Sequence, residues 1–214
     1  PASGKYGLFV QGEQHYDFVY DAIRPLKSDL VWAEKTMGSA NALLKIKAVT
    51  SVHYPQPLSY SFVLEKDGKI IGNIMYTKAW LEDENGERKE ILSFGPLCVA
   101  PEYQRQKLGK MLIEHSFDVA RKMGYDVNIN FGNPGNYVSR GFVSCKKKNV
   151  SFVVDGNFPT ALLVCELVPN TLDGRKWMYI PSTAADCCED ADAVASFDQT
   201  FPEKEKKWMP SQEE

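Results

Sequence analysis

The patterning of this chain predicts a mixed α/β fold, in which an antiparallel meander leads through a crossover helix into a parallel strand. Three observations carry that expectation. Hydropathy alternates with period two around residues 58–64, and Asp67-Gly68 and Asn85-Gly86, dipeptides suited to tight reversals, lead from that strand into the next ones at 70–80 and 91–100. Residues 107–123 then switch to helical periodicity, and Gly124 follows as a left-handed stop. Finally, residues 125–131 alternate again, and a strand reached through a helix from the preceding strand lies parallel to it.

At the N-terminal end, Tyr16, Val19, Tyr20 and Ile23 fall at i, i+3, i+4 and i+7, which predicts a core-covering helix ended near Pro25. Leu43, Leu44 and Ile46 suggest a second helix around residues 39–47. The first strand of the meander puts Leu58, Tyr60, Phe62 and Leu64 on one face and Ser59, Ser61 and Val63 on the other. The third strand meets Gly95-Pro96, and proline has no N–H to give a ladder, so an interruption with a bulge is expected there, resuming as Leu97-Cys98-Val99. Beyond Pro101 a donor-rich loop enters the helix. A helix start presents N–H groups without intrahelical acceptors, and with Arg105, Lys107 and Lys110 beside it this junction suits an anionic ligand.

The helix carries Leu108, Met111, Leu112, Ile113, Phe117 and Ala120 on its apolar side and Lys110, Glu114, Asp118 and Lys122 opposite, so one face packs on the sheet. His115 lies among apolar neighbours and reads as a boundary or core histidine ahead of a catalytic one. In the next strand Tyr125, Val127, Ile129 and Phe131 share one face, and Asp126, Asn128 and Asn130 the other. A parallel strand is usually apolar on both faces. The polar face is therefore either an edge in water or turned towards a polar ligand. The turn-rich segment FGNPGNYVSRGF follows, then strand segments at 150–154 and 162–168 with a turn marked by Gly156, Asn157 and Pro159. After Pro169 apolar residues thin out and one helix is expected around 189–201, so the chain divides into a domain at 1–168 and a C-terminal extension at 169–214, laid on the core or on a partner.

With 214 residues and 43% hydrophobic content the chain buries a full core. A net charge of −3 argues against nucleic-acid binding, and no apolar run approaches the roughly 18 residues that would span a membrane. The first ten residues lack a signal peptide's apolar segment, and five cysteines without metal or C-x-x-C spacing read as reduced thiols, so a cytoplasmic protein is expected. Neither G-x-x-x-x-G-K-[ST] nor G-x-G-x-x-G occurs, which sets aside the common nucleotide loops.

The stretch VAPEYQRQKLGK resembles the acetyl-coenzyme A signature Q/R-x-x-G-x-G/A of the GNAT N-acetyltransferase superfamily, read from Gln104, and FGNPGNYVSRGF resembles the family's later Asn...Tyr-x-x-x-Gly-Phe segment. The order of elements matches as well, and residues 60–168 carry the likeness. The C-terminal ALLVCELVPNTLDG is similar to a bacterial subgroup of predicted acetyltransferases. One departure stands out: Lys107 occupies the signature's first glycine, and Gly109 keeps the second.

The resemblance implies acetyl-CoA as co-substrate, no metal, and a splayed parallel strand pair that receives the coenzyme. Backbone groups of Leu97, Cys98 and Val99 would pair with the pantetheine arm, and an N–H of Leu97 or Cys98 would serve the acetyl carbonyl. Gln104, Arg105, Gln106, Lys107, Leu108, Gly109 and Lys110 would cradle the pyrophosphate. Tyr137 would protonate the departing thiolate, and Asn133 and Asn136 would hold coenzyme or cap a short helix. The acceptor would be the primary amine of a small molecule or peptide, attacking directly, with room for a homodimer. Candidate bases are Glu90, Glu82, Asp126, His53 or water. Glu82, Asp83, Glu84 and Glu87 would either draw a cationic acceptor or form a solvated turn. A covalent role for Cys98 is the lesser alternative, because no histidine stands in its motif. The rival function is a non-catalytic acyl-CoA sensor or scaffold.

Overall fold

The computed structural model describes residues 35–37, 44–49, 61–153, 156–182 and 190–199. The helix expected at 16–23, the residues before Ser61 in the first meander strand, and His53 lie outside these residues. In chain order the first strands are β1 (Lys35–Met37), β2 (Leu44–Val49), β3 (Ser61–Lys66), β4 (Lys69–Asp83) and β5 (Arg88–Val99). Helix α1 (Leu108–Lys122) leads to β6 (Val127–Phe131) and the short α2 (Pro134–Tyr137). Strands β7 (Val143–Ser144), β8 (Val150–Phe152), β9 (Leu162–Glu166) and β10 (Trp177–Ile180) precede α3 (Ala191–Asp198). The chain forms two compact units, the first from Pro1–Met75, Pro96–Ile113 and Thr183–Glu214, the second from Tyr76–Gly95 and Glu114–Ser182.

In the first unit β1, β2, β3 and the start of β4 pair antiparallel in sequence order. The helix expected around 39–47 is therefore corrected: Leu44–Val49 is a strand, registered against β3 from Leu44↔Lys66 to Val49↔Ser61. Leu44, Ile46 and Ala48 alternate with Lys45 and Lys47, and six cross-strand pairs outweigh a weak helical spacing. The β3–β4 reversal is the one its Asp-Gly dipeptide demands, because Asp67 and Gly68 both hold positive φ, at 50° and 79°. Ser61 through Leu64 are all buried, so β3 is covered on both faces. Strand β5 runs unbroken through Gly95-Pro96, where an interruption was expected. A proline is tolerated inside a strand where its nitrogen meets no ladder acceptor. Downstream, the Ala100 N–H donates to the Ile71 carbonyl at 2.8 Å. A Cβ on Gly72 would stand 2.9 Å from the Cys98 carbonyl oxygen, so only glycine permits this approach of the two strands.

In the second unit β4 and β5 are neighbours joined by a turn too short for anything but an antiparallel hairpin. Its ends are tied by Asp83 N–H to Glu87 O and Gly86 N–H to Asp83 O, both 3.0 Å. Strand β6 lies parallel to β5, as the crossover helix predicts, but their registered pairing is a single position, Leu92 opposite Asn128. Its other flank is closed by β9, antiparallel from Val127↔Glu166 to Phe131↔Leu162. Strand β6 is thus internal, and of the two readings open for its polar face the edge in water drops out: Asn128 is 0% and Asn130 1% exposed. On the opposite face Val127 and Ile129 join Leu81, Ile91 and Val164 in the apolar core, where each fully buried aliphatic side chain contributes about 2 kcal/mol.

Strand β10, which comes after Pro169, pairs antiparallel with β4 and parallel with β8. Its Trp177 and Tyr179 are buried, and the Trp177 Nε1–H donates to the Leu172 carbonyl at 3.2 Å. Helix α1 ends as its sequence predicts. Gly124, at φ 89°, lets its own N–H reach Arg121 O and the Tyr125 N–H reach Ala120 O, the paired bonds of a Schellman cap.

Candidate active site

The first unit holds the end of β5, the connecting loop and the first turns of α1. The loop is held by its own amides: Gln104 Nε2 donates to the Val99 carbonyl at 3.0 Å and Gln106 Nε2 to the Glu102 carbonyl at 3.1 Å. Those two side chains shape the loop, and Arg105 and Lys107 stand exposed on it. Arg105 and Lys107 both adopt left-handed backbone, at φ 59° and 64°. That explains on physical grounds why a glycine belongs at position 107, since a residue with a Cβ is strained there. The helix's first bond runs from Met111 N–H to Lys107 O at 3.0 Å, which sets the helix start, with its positive dipole end, at this loop. At Gly109 an added Cβ would find only Val99 Cγ2, at 3.9 Å. Folding does not require that glycine, and an anion approaching the helix start does. The donors and the open surface therefore fit the pyrophosphate of a coenzyme.

Cys98 also lies here, and its thiol donates to Asn73 Oδ1 at 2.6 Å. Burial pushes that thiol up to about 12, opposed by the hydrogen bond, so it is protonated near neutrality and poorly suited to nucleophilic attack.

The second unit, taken by itself, holds β6 and the segment after it. Asn133 N-caps α2, its Oδ1 accepting from Gly135 N–H at 2.9 Å, and the Asn136 carbonyl accepts from Arg140. Gly141, at φ 89°, turns the chain so that Phe142 is buried. Tyr137 is seated in an aromatic group, its ring centroid 5.5 Å from that of Phe142 and 5.8 Å from that of Phe94. Burial pushes the Tyr137 phenol up, opposed by the neighbouring Arg140 guanidinium, so it holds its proton. Its ring lies directly against Gly132, where a Cβ would come within 2.6 Å of Tyr137 Cε2.

The candidate bases in this unit are committed elsewhere. Glu90 accepts from Lys78 at 2.8 Å and from the Tyr125 hydroxyl at 2.9 Å, and the Lys78 bond holds its carboxyl below the usual range. Asp126 pairs with Lys89 at 2.6 Å, and Glu82 with Arg88 at 2.7 Å. The acidic turn is likewise met from within: Arg175 bridges Asp83 and Glu87, and the Lys176 N–H donates to Glu84 at 2.7 Å.

Sequence reasoning missed three features of these surroundings. Tyr76, buried on β4, shares a 2.6 Å hydrogen bond with Ser116 and packs edge-on against Phe94. Gly132 carried no signal beyond its place in a turn-rich run. Asn73 reads as an ordinary polar residue in an alternating strand and is instead 1% exposed beside Cys98.

Comparison with known proteins places these features in a family. The family model described as "Acetyltransferase (GNAT) family" matches residues 29–145, more than half of the chain. Among curated proteins, the uncharacterised N-acetyltransferase YjhQ of Escherichia coli (strain K12) is 33% identical over 86 residues, 40% of this chain and 46% of that protein. The chain thus spans about half the length of the curated relative it matches. Among solved structures, the GNAT family N-acetyltransferase YhbS from Escherichia coli, in complex with CoA, superposes with a TM-score of 0.54 at 22% identity, over 60% of this chain and 70% of that one. That likeness establishes the mixed α/β fold in which parallel and antiparallel strands share a sheet with helices. The chain belongs to the GNAT acetyltransferase family.

Proposed function

We propose that this chain transfers an acetyl group from acetyl-CoA to a primary amine by direct attack. The loop from Gln104 to Lys110 receives the pyrophosphate at the start of α1, backbone groups of Leu97, Cys98 and Val99 take the pantetheine arm, and Tyr137 donates the proton. The amine nitrogen forms a bond to the thioester carbonyl carbon while the carbon–sulfur bond breaks. The departing thiolate takes the phenolic proton of Tyr137, and the amine releases its surplus proton to water, from which the phenolate is recharged. An N–H of Leu97 or Cys98 aimed at the carbonyl oxygen would contribute about 3 kcal/mol.

The observation that carries the reading is Tyr137, protonated and fixed by Phe94, Phe142 and Gly132. A phenol, whose ordinary pKa of ~10 burial raises further at Tyr137, is a weak acid towards a thiolate whose conjugate acid ordinarily lies near ~8.5, so its contribution is a rate factor of roughly 10²–10³ and not an absolute requirement. That the relative YjhQ is named an N-acetyltransferase and that YhbS was solved with CoA support the same activity. The acceptor is an amine of a small molecule or peptide.

Free thiol release from acetyl-CoA, followed across a panel of primary amines, tests the proposal. Tyr137→Phe is expected to lower turnover about 10²–10³-fold while coenzyme affinity holds. Ligand-dependent stabilisation without thiol release from any amine would instead assign the chain to the sensors or scaffolds.

A further inference from the structure

Asn128 and Asn130 stand two residues apart on one side of β6, and both are interior, at 0% and 1% exposure. Among the described residues neither Oδ1 nor Nδ2 of Asn128 has a hydrogen-bond partner, and Asn130 Oδ1 has none. Asn130 Nδ2 reaches only the adjacent Phe131 carbonyl, at a marginal 3.5 Å. An orphaned polar group in the interior is costly, and an internal parallel strand is ordinarily apolar on both faces. The other face of β6 obeys that rule with Val127 and Ile129. The two asparagines break it side by side, where β6 parts from β5 after the single pair Leu92↔Asn128.

Their unmet atoms define what would satisfy them. Asn128 offers one acceptor and one donor, and Asn130 adds a second acceptor. A phosphate, which only accepts, leaves both Oδ1 atoms unmet, and an ammonium, which only donates, leaves Asn128 Nδ2 unmet. A secondary amide engages both kinds of atom, its carbonyl taking the Nδ2 proton and its N–H donating to one Oδ1, and unlike either ion it brings no charge into the interior. The pair also lies beside the candidate acid: a Cβ on Gly132 would stand 2.6 Å from Tyr137 Cε2 and 3.5 Å from Asn130 Nδ2. We propose that Asn128 and Asn130 recognise, through their side chains, the secondary amide nearest the thiol in the arm of the acyl donor. This rests on the coenzyme reading above.

Calorimetric titration of the full chain tests it with two probes, coenzyme A and adenosine 3′,5′-bisphosphate, which lacks the amide-bearing arm. Asn128→Leu and Asn130→Leu are each expected to weaken coenzyme A about tenfold, in keeping with the loss of one or two hydrogen bonds, to leave the bisphosphate unaffected, and to melt no lower than the parent. Asn128→Thr runs beside them, so that a folding failure in one variant still leaves a reading. Coenzyme A affinity equal in parent and variants would overturn the amide pair alone, as would an equal loss for both probes. A parent that binds neither probe would overturn the coenzyme reading and this inference with it.

Discussion

Lys107→Gly separates the backbone demand of the α1 entry loop from its charge. At φ 64° a residue bearing a Cβ is about 1–2 kcal/mol worse than glycine. Glycine in turn loses about 0.5–1 kcal/mol more chain entropy on folding. The balance favours Lys107→Gly by roughly 0.5–1 kcal/mol, which for a chain of this size raises Tm by about 2 °C. Arg105→Gly is the internal control, because φ there is 59° and the backbone gain is the same. Losing one exposed cation costs less than about 1 kcal/mol of phosphate attraction, and salt screens it. The two variants are thus matched in strain and charge, and only Lys107→Gly restores the glycine of the coenzyme signature. Differential scanning calorimetry should show equal rises in Tm, and titration with coenzyme A should show Lys107→Gly binding at least as tightly as Arg105→Gly. Unchanged or lower melting in both would refute the strain argument. Binding more than tenfold weaker in Lys107→Gly than in Arg105→Gly would show that the Lys107 charge outweighs closer backbone approach.

Gly109→Ala should raise melting slightly, since the new methyl meets only Val99 Cγ2 at 3.9 Å and alanine loses about 0.5–1 kcal/mol less chain entropy than glycine, yet weaken coenzyme A at least tenfold by calorimetry if phosphates approach that surface. Gly132→Ala should lower kcat about tenfold or more with little change in coenzyme affinity, because its Cβ must displace the Tyr137 ring from 2.6 Å, and a preserved kcat would detach ring position from catalysis. The pH profile has a definite sign. Burial raises the Tyr137 pKa, so the acid form is fully present at neutrality and its contribution is lost only as pH rises through that raised value, above the ordinary ~10. The alkaline limb of kcat should lie there and vanish in Tyr137→Phe, whereas a limb below pH ~9 that survives the substitution would belong to another group.

The local signals in this chain proved the readable ones. Asp67-Gly68, the α1 stripe and Gly124 act within a few residues, and each fixes its own turn, face or cap. The entry loop lies between β5 and α1 as the sequence order predicts, and the structure adds what the departure at Lys107 costs, namely a left-handed backbone that a signature glycine would adopt without strain. Non-local pairing was where the reading went astray. The spacing of Leu43, Leu44 and Ile46 looked helical until β3 was seen alongside, and Pro96 looked like a break although β5 continues through it.

The polar face of β6 shows the limit most clearly. Period-two alternation correctly put Asn128 and Asn130 together on one side, but alternation reports which residues share a face and not what covers it. The cover comes from β9, a strand more than thirty residues later that closes one flank of β6 over the registers Val127↔Glu166 to Phe131↔Leu162. With that flank closed, a solvated edge is no longer available to explain the asparagines. The carboxamides are left inside the protein with polar atoms unmet, so the solvated edge drops out of the choice that the sequence left open, and the polar ligand is the reading we propose.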